Sequence, residues 1–383
     1  MTVTSPKGFR ASGVTAGLKP SGTPDVAVVV NDGPSNVAAA VYTANRCKAN
    51  PVLWSEQVTA DGKARAVVLN SGGANCYTGS KGFQAAHASA ELVGELLGVG
   101  ASEVVVCSTG LIGEKLSTEK LLAGVDAAVG VLSEDGGQAA ADAILTTDTH
   151  GKQASNVRDG WRVGGMAKGA GMLAPSLATM LVVLTTDAEV TSEVADRALR
   201  AATRVTFDRL DSDGCMSTND TVLLMCSGAS GITPDEAGFT ASVREVCHDL
   251  ARQLLGDAEG SEHDIEIEVV HAASESDAVE VGRSIARSNL FKCAVFGKDP
   301  NWGRILASVG TTNAAFDPFT LDVAFNGVWV CLDGEAGEPQ EKVNLSDRAV
   351  RVLVDLKAGE RTATIWTNDL THAYVHENSA YST

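Results

Sequence analysis

The sequence predicts a layered protein of mixed helix and strand, α/β or α+β, and three observations predict it. Short apolar runs that end in turn residues alternate with Ala- and Leu-rich helical stretches through the first half. That pattern suits strands covered on both faces by packed layers. The same alternation resumes after residue 179. From about Cys293 the texture changes to strands and turns, which sets a smaller C-terminal domain over 291–383 beside a main domain over 1–290.

Each element has its own signal. DVAVVV (Asp25–Val30) and ARAVVLN (Ala64–Asn70) read as buried strands closed by turn residues. A helix starts near Phe83 and stops at Gly98 or Gly100, since glycine accepts the left-handed conformation of a helix C-cap. EVVVCSTG is a short strand that runs into Thr109-Gly110, and helices follow over 119–132 and 138–145. Met180–Leu184 is an apolar run of the kind that fills a core strand, and a loop of small residues broken by Pro175 precedes it. SEVADRALRAATRV is helical and TVLLMCSG is a strand. Thr233-Pro234-Asp235-Glu236 has capping-box spacing with proline at the first helical position, predicting a helix capped at Thr233 that runs to about Leu255. In DIEIEVV, Ile265, Ile267 and Val269 point one way and Asp264, Glu266 and Glu268 the other. Asn326-Gly327 between LDVAF and VWVCL is a two-residue hairpin.

Composition narrows the function. A formal charge of −18 argues against nucleic acid, whose phosphates need a basic face. No stretch is long and apolar enough to span a bilayer, and MTVTSPKGFRASG is no secretory signal, so a cytoplasmic protein is expected. The eight cysteines include no CxxC pair and read as reduced, mostly core thiols.

Most short motifs fail on context. Gly169–Ala174 fits a loose GxGxxA, but Pro175 and a strand-like run follow where a dinucleotide site needs a helix. There is no Walker loop and no GxSxG elbow. His372 and His376 have i,i+4 spacing without an obvious third ligand, so no metal site is expected. Five polar clusters border the apolar elements: NSGGANCYTG, CSTG, LTTDT, DGCMSTNDT and GKDPNWGR. Loops at strand ends are where such proteins collect binding groups, and these five suggest a cleft lined by neutral hydrogen-bonding groups. Thr179 is then a puzzle. A β-branched residue at a strand entrance is ordinary, yet this one stands behind Ala178 where a small-residue loop becomes core.

KGAGMLAPSLATML with Thr179, together with CSTG, ILTTDT, STNDT, DPNWGR and the terminal ENSAYST, resembles the ornithine acetyltransferases, the bifunctional glutamate N-acetyltransferases of arginine biosynthesis. The likeness runs from GFRASGVTAGLK to the last residue. It implies an αββα sandwich with a smaller C-terminal domain. It also implies self-cleavage between Ala178 and Thr179, into two chains that stay together as a heterotetramer of two of each. The Thr179 hydroxyl would attack the Ala178 carbonyl, an N→O shift would give an ester, and water would free an N-terminal threonine. Its new α-amine, with a reference pKa of roughly 7.7–8, can act as base for its own hydroxyl. Mature Thr179 would take acetyl from N-acetylornithine and pass it to glutamate. The resemblance places oxyanion donors at the Thr109 side chain and the Gly110 N–H, and substrate contacts at Thr146, Lys168, Thr179, Glu259, Asn378 and Thr383. It implies small-molecule substrates and no cofactor, with acetyl-CoA as a candidate second donor. One departure concerns Ala258-Glu259-Gly260-Ser261-Glu262-His263, where His263 replaces the basic residue usual after this glutamate. Two rival functions stand beside transfer. An N-terminal-nucleophile amidohydrolase or aminopeptidase of similar fold would hand the acyl group to water. A binding protein would keep Thr179 uncleaved.

Overall fold

The computed structural model describes residues 2–172 and 180–380. Its contacts separate two units, one comprising residues up to Asp208 plus Cys215–Leu254, the other Arg209–Gly214 plus the chain from Leu255 onward.

The strands of the first unit are β1 (Phe9–Val14), β2 (Val26–Asn31), β3 (Val37–Tyr42), β4 (Ala66–Asn70), β5 (Val104–Ser108), β6 (Lys152–Arg158), β7 (Trp161–Lys168), β8 (Leu181–Thr186) and β9 (Thr221–Cys226). They form one sheet in the order β1-β2-β4-β5 and another in the order β3-β9-β8-β7-β6. Its helices are α1 (Asn50–Val58), α2 (Gly79–Leu97), α3 (Thr118–Gly130), α4 (Gly137–Ala143), α5 (Ser192–Arg204) and α6 (Glu236–Gly256). The period of two decides the layering. Ala27, Val29, Val67, Leu69, Val105 and Cys107 face Leu181, Val183, Leu223 and Met225 of the other sheet in one core. Their neighbours Val26, Val28, Val68, Val104 and Val106 face α2 and α3 on the opposite side. On the second sheet, Val246 and Leu250 of α6 reach Gly165 of β7, where an added Cβ would lie within 3.3 Å of both. The result is the helix–sheet–sheet–helix sandwich that the resemblance implied.

Local chemistry adjusts several boundaries. The helix expected from Phe83 begins at Gly79, and Gly98 closes it with φ 71°. The capping box expected at Thr233 is displaced, because α6 starts at Glu236 and the Asp235 carboxylate accepts from the Gly238 N–H at 2.8 Å. Thr233 and Pro234 lie before the helix.

The second unit holds β10 (Asp264–Ala272), β11 (Asp322–Phe325), β12 (Val328–Leu332), β13 (Glu335–Ala336), β14 (Ala349–Asp355) and β15 (Arg361–Asn368), in the order β13-β12-β11-β14-β10-β15. Helices α7 (Glu275–Ala286), α8 (Asn289–Phe296) and α9 (Trp302–Val309) supply Val281, Ile285, Phe291, Val295 and Ile305 to its core, and α10 (His372–Ala380) follows β15. Ile265, Ile267 and Val269 enter that core as their alternation requires. The hairpin turn is present, with Asn326 at φ 47° and Gly327 at φ 85°. A boundary near 290 does not match this pairing. β10 lies between β14 and β15, which assigns residues 264–290 to the C-terminal unit.

Candidate active site

Two strand ends set the site in the first unit. β7 ends at Lys168, which stands opposite Leu181, the first residue of β8, in antiparallel register. The side chain of Lys168 is buried, and its ammonium donates to the hydroxyls of Thr146, at 2.8 Å, and Thr109, at 3.3 Å. Three residues that sequence reasoning named separately therefore meet at one nitrogen. Ala178 and Thr179 lie outside the described residues, as does Thr383.

Thr109 and Gly110 follow β5. The Thr109 N–H donates to Asn70 O, and Thr109 O accepts from the Gly73 N–H, both at 2.9 Å, so the peptide is tied to the end of β4 and the loop after it. Gly110 has φ 126°, and an added Cβ would lie 2.8 Å from the Gly73 backbone, so only glycine fits there. Among the described residues the Gly110 N–H meets no acceptor. The Thr109 oxygen already accepts from Lys168, which leaves its own hydrogen to donate. A side-chain O–H and a backbone N–H on consecutive residues form a donor pair suited to an oxyanion.

Charge enters through residues the sequence reading did not single out. The Asp148 side chain is buried, and its carboxylate accepts from Lys152 at 2.7 Å and from the Gly169 N–H at 2.6 Å, with the Lys168 ammonium 3.8 Å away. Burial alone would push this carboxyl up. The Lys168 and Lys152 ammoniums and the hydrogen bonds outweigh it and hold the group at about 2. The half-buried Lys19 donates to Leu145 O at 3.0 Å, beside Thr146, and burial lowers its pKa against the raising effect of Asp25. Asn219, before β9, donates to Ala74 O at 2.6 Å and Ser108 O at 2.8 Å, joining three of the polar clusters. The lining is thus charged as well as neutral. LTTDT and STNDT were the signals for Asp148, Asn219 and Asp220, because aspartates and asparagines at buried strand ends must find partners.

The remaining positions belong to the second unit. Glu259 is buried on the loop after α6. The next residue, Gly260, has φ 62°, and an added Cβ would lie 2.2 Å from Tyr374 N, so α10 packs directly on this loop. The Tyr374 hydroxyl donates to Asp213 at 2.8 Å. Asp213, Arg287, Lys292 and Tyr374 line a small cavity of about 100 Å³. His263 is buried, with Nδ1 2.7 Å from Asp369 Oδ2 and Nε2 3.1 Å from Leu345 O. Its ring is committed to internal partners, which accounts for the sequence departure there as packing. Asn378 is exposed on α10 and donates to Tyr374 O at 3.0 Å. GKDPNWGR forms the corner between α8 and α9. Asn301 caps α9 through the Arg304 N–H at 3.2 Å, which explains this cluster structurally.

The ArgJ family model matches residues 10–383. The chain is similar to the arginine biosynthesis bifunctional protein ArgJ of Streptomyces coelicolor, 65% identical over 100% of both chains. It is 64% identical, again over 100% of both, to the protein of that name from Thermobifida fusca. Among solved structures it resembles the ornithine acetyltransferase of Mycobacterium tuberculosis complexed with ornithine, at 53% identity. That match covers 47% of this chain and 96% of the other, with a TM-score of 0.45.

Proposed function

This chain belongs to the ArgJ family, and from that premise we propose that it is a self-processing acetyltransferase of arginine biosynthesis, moving acetyl from N-acetylornithine to glutamate through an acetyl ester on Thr179. The observation that carries the chemistry is the Lys168 ammonium held between the Thr109 and Thr146 hydroxyls, where β7 meets the start of β8.

Self-cleavage between Ala178 and Thr179 frees the threonine α-amine, which takes the proton of its own hydroxyl as that oxygen attacks the acetyl carbonyl. The carbonyl oxygen becomes an oxyanion, and the Thr109 O–H and Gly110 N–H are the donors for it. Lys168 fixes the Thr109 hydroxyl and polarises it, so the donor is aligned before charge develops. Collapse expels ornithine, whose nitrogen takes the proton from the α-amine. The α-amine then deprotonates the glutamate nitrogen, which attacks the ester and restores the Thr179 hydroxyl. Cationic Lys168 suits a substrate carboxylate and buried Glu259 a substrate amine. Asn378 and Thr383 complete the substrate contacts. Acetyl-CoA serves as a second donor to the same hydroxyl. The processed chains work in the cytoplasm as a heterotetramer.

Initial rates with N-acetylornithine and glutamate test this reading. Parallel double-reciprocal lines are expected, with acetylglutamate formed as ornithine is released. Intersecting lines, or release of acetate regardless of glutamate, would instead favour a sequential enzyme or a hydrolase.

A further inference from the structure

Asp220 precedes β9, and the parallel register that pairs Leu181 with Thr221 brings it beside Met180. Its Oδ1 accepts from the Met180 N–H at 3.0 Å, and Met180 O accepts from the Thr221 N–H at 3.2 Å. Met180 is the residue immediately after Thr179. The Asp220 side chain is fully buried, and its Oδ2 has no hydrogen-bond partner among the described residues. The nearby Thr43 hydroxyl donates to Ser217 O at 2.6 Å. An ionised carboxylate with an orphan oxygen in such a place is costly, so the neutral acid is the form this geometry favours. Burial accordingly pushes the Asp220 carboxyl well above the usual range, although the Met180 N–H and Lys168 act against it.

We propose that Asp220 is a positioning residue for the chemistry of Thr179, fixing the peptide that follows the nucleophile through its bond to the Met180 N–H. The inference rests on the acetyltransfer reading and adds a residue to it. The bond needs an acceptor oxygen and no charge, so a neutral amide of the same size can replace the acid. Loss of the acceptor leaves a buried N–H without a partner at the peptide that carries the nucleophile.

The test compares Asp220→Asn and Asp220→Leu with wild type for self-cleavage rate, kcat and KM. Asp220→Asn is expected within about threefold of wild type in all three. Asp220→Leu is expected to slow self-cleavage and kcat by roughly tenfold or more with KM little changed, the split expected when alignment is lost and binding is kept. Wild-type rates in Asp220→Leu would overturn the proposal, as would Asp220→Asn being as slow as Asp220→Leu. If Asp220→Leu yields no folded protein, Asp220→Asn decides, near-wild-type rates supporting the role and a tenfold loss overturning it. Wild-type protein that neither cleaves nor transfers acetyl would overturn the functional reading and this one together, which separates the two failures.

Discussion

At the residue scale, Asp148 links stability to the site. Its carboxyl is held at about 2 when folded, against an ordinary value of 3.8 for an aspartate. A depressed acid contributes stability that is fully present above its unfolded pKa and is lost as pH falls through its folded one. The contribution is therefore intact above about pH 4 and disappears toward about pH 2. Asp148→Asn takes the carboxylate charge away from two buried ammoniums and should cost roughly 3–5 kcal/mol at pH 7. Urea unfolding at pH 7 and near pH 2 checks this, and a deficit that does not shrink in acid would contradict it. Sequence reasoning named Thr109, Gly110, Thr146 and Lys168 through the family resemblance. It passed over Asp148, Lys152 and Asp220 because burial decides their role, and burial depends on which strand ends the fold brings together. Lys168 shows the same limit, since a lysine side chain is by default a surface charge.

Elements were legible where local pattern and tertiary environment agree. The runs that became β2, β4, β5, β8 and β9 are apolar on both faces because both faces are covered. β3, with the sequence VAAAVY, gave no strand signal, since alanine has little strand preference and only pairing with β9 fixes it. The β6–β7 hairpin carries an Asp159-Gly160 turn with both φ positive, a signal present in the sequence and not used. The start of α6 offers a direct check. Asp235→Ala should cost about 1 kcal/mol through loss of the cap, whereas Thr233→Ala should leave stability within about 0.5 kcal/mol. Thermal unfolding of both variants decides it, and a larger loss in Thr233→Ala would restore the cap expected from spacing.

On the scale of the whole molecule, the second unit takes in residues 264–290, ahead of the change of texture near Cys293. α6 ends at Gly256, and β10, which starts at Asp264, pairs with strands that begin much later in the chain, at Ala349 and Arg361. Long-range pairing of that kind leaves no mark on local periodicity. On the proposed reading, one peptide bond of the chain is broken to make the nucleophile. Intact mass of the purified protein under denaturing conditions, before and after incubation with N-acetylornithine, tests it most directly. Two chains are expected, residues 1–178 and 179–383, allowing for loss of the first methionine. A single added acetyl should appear on the second chain and vanish when glutamate is supplied, and Thr179→Ala should remain one unmodified chain. An uncut wild-type chain, or acetylation that persists in Thr179→Ala, would contradict it.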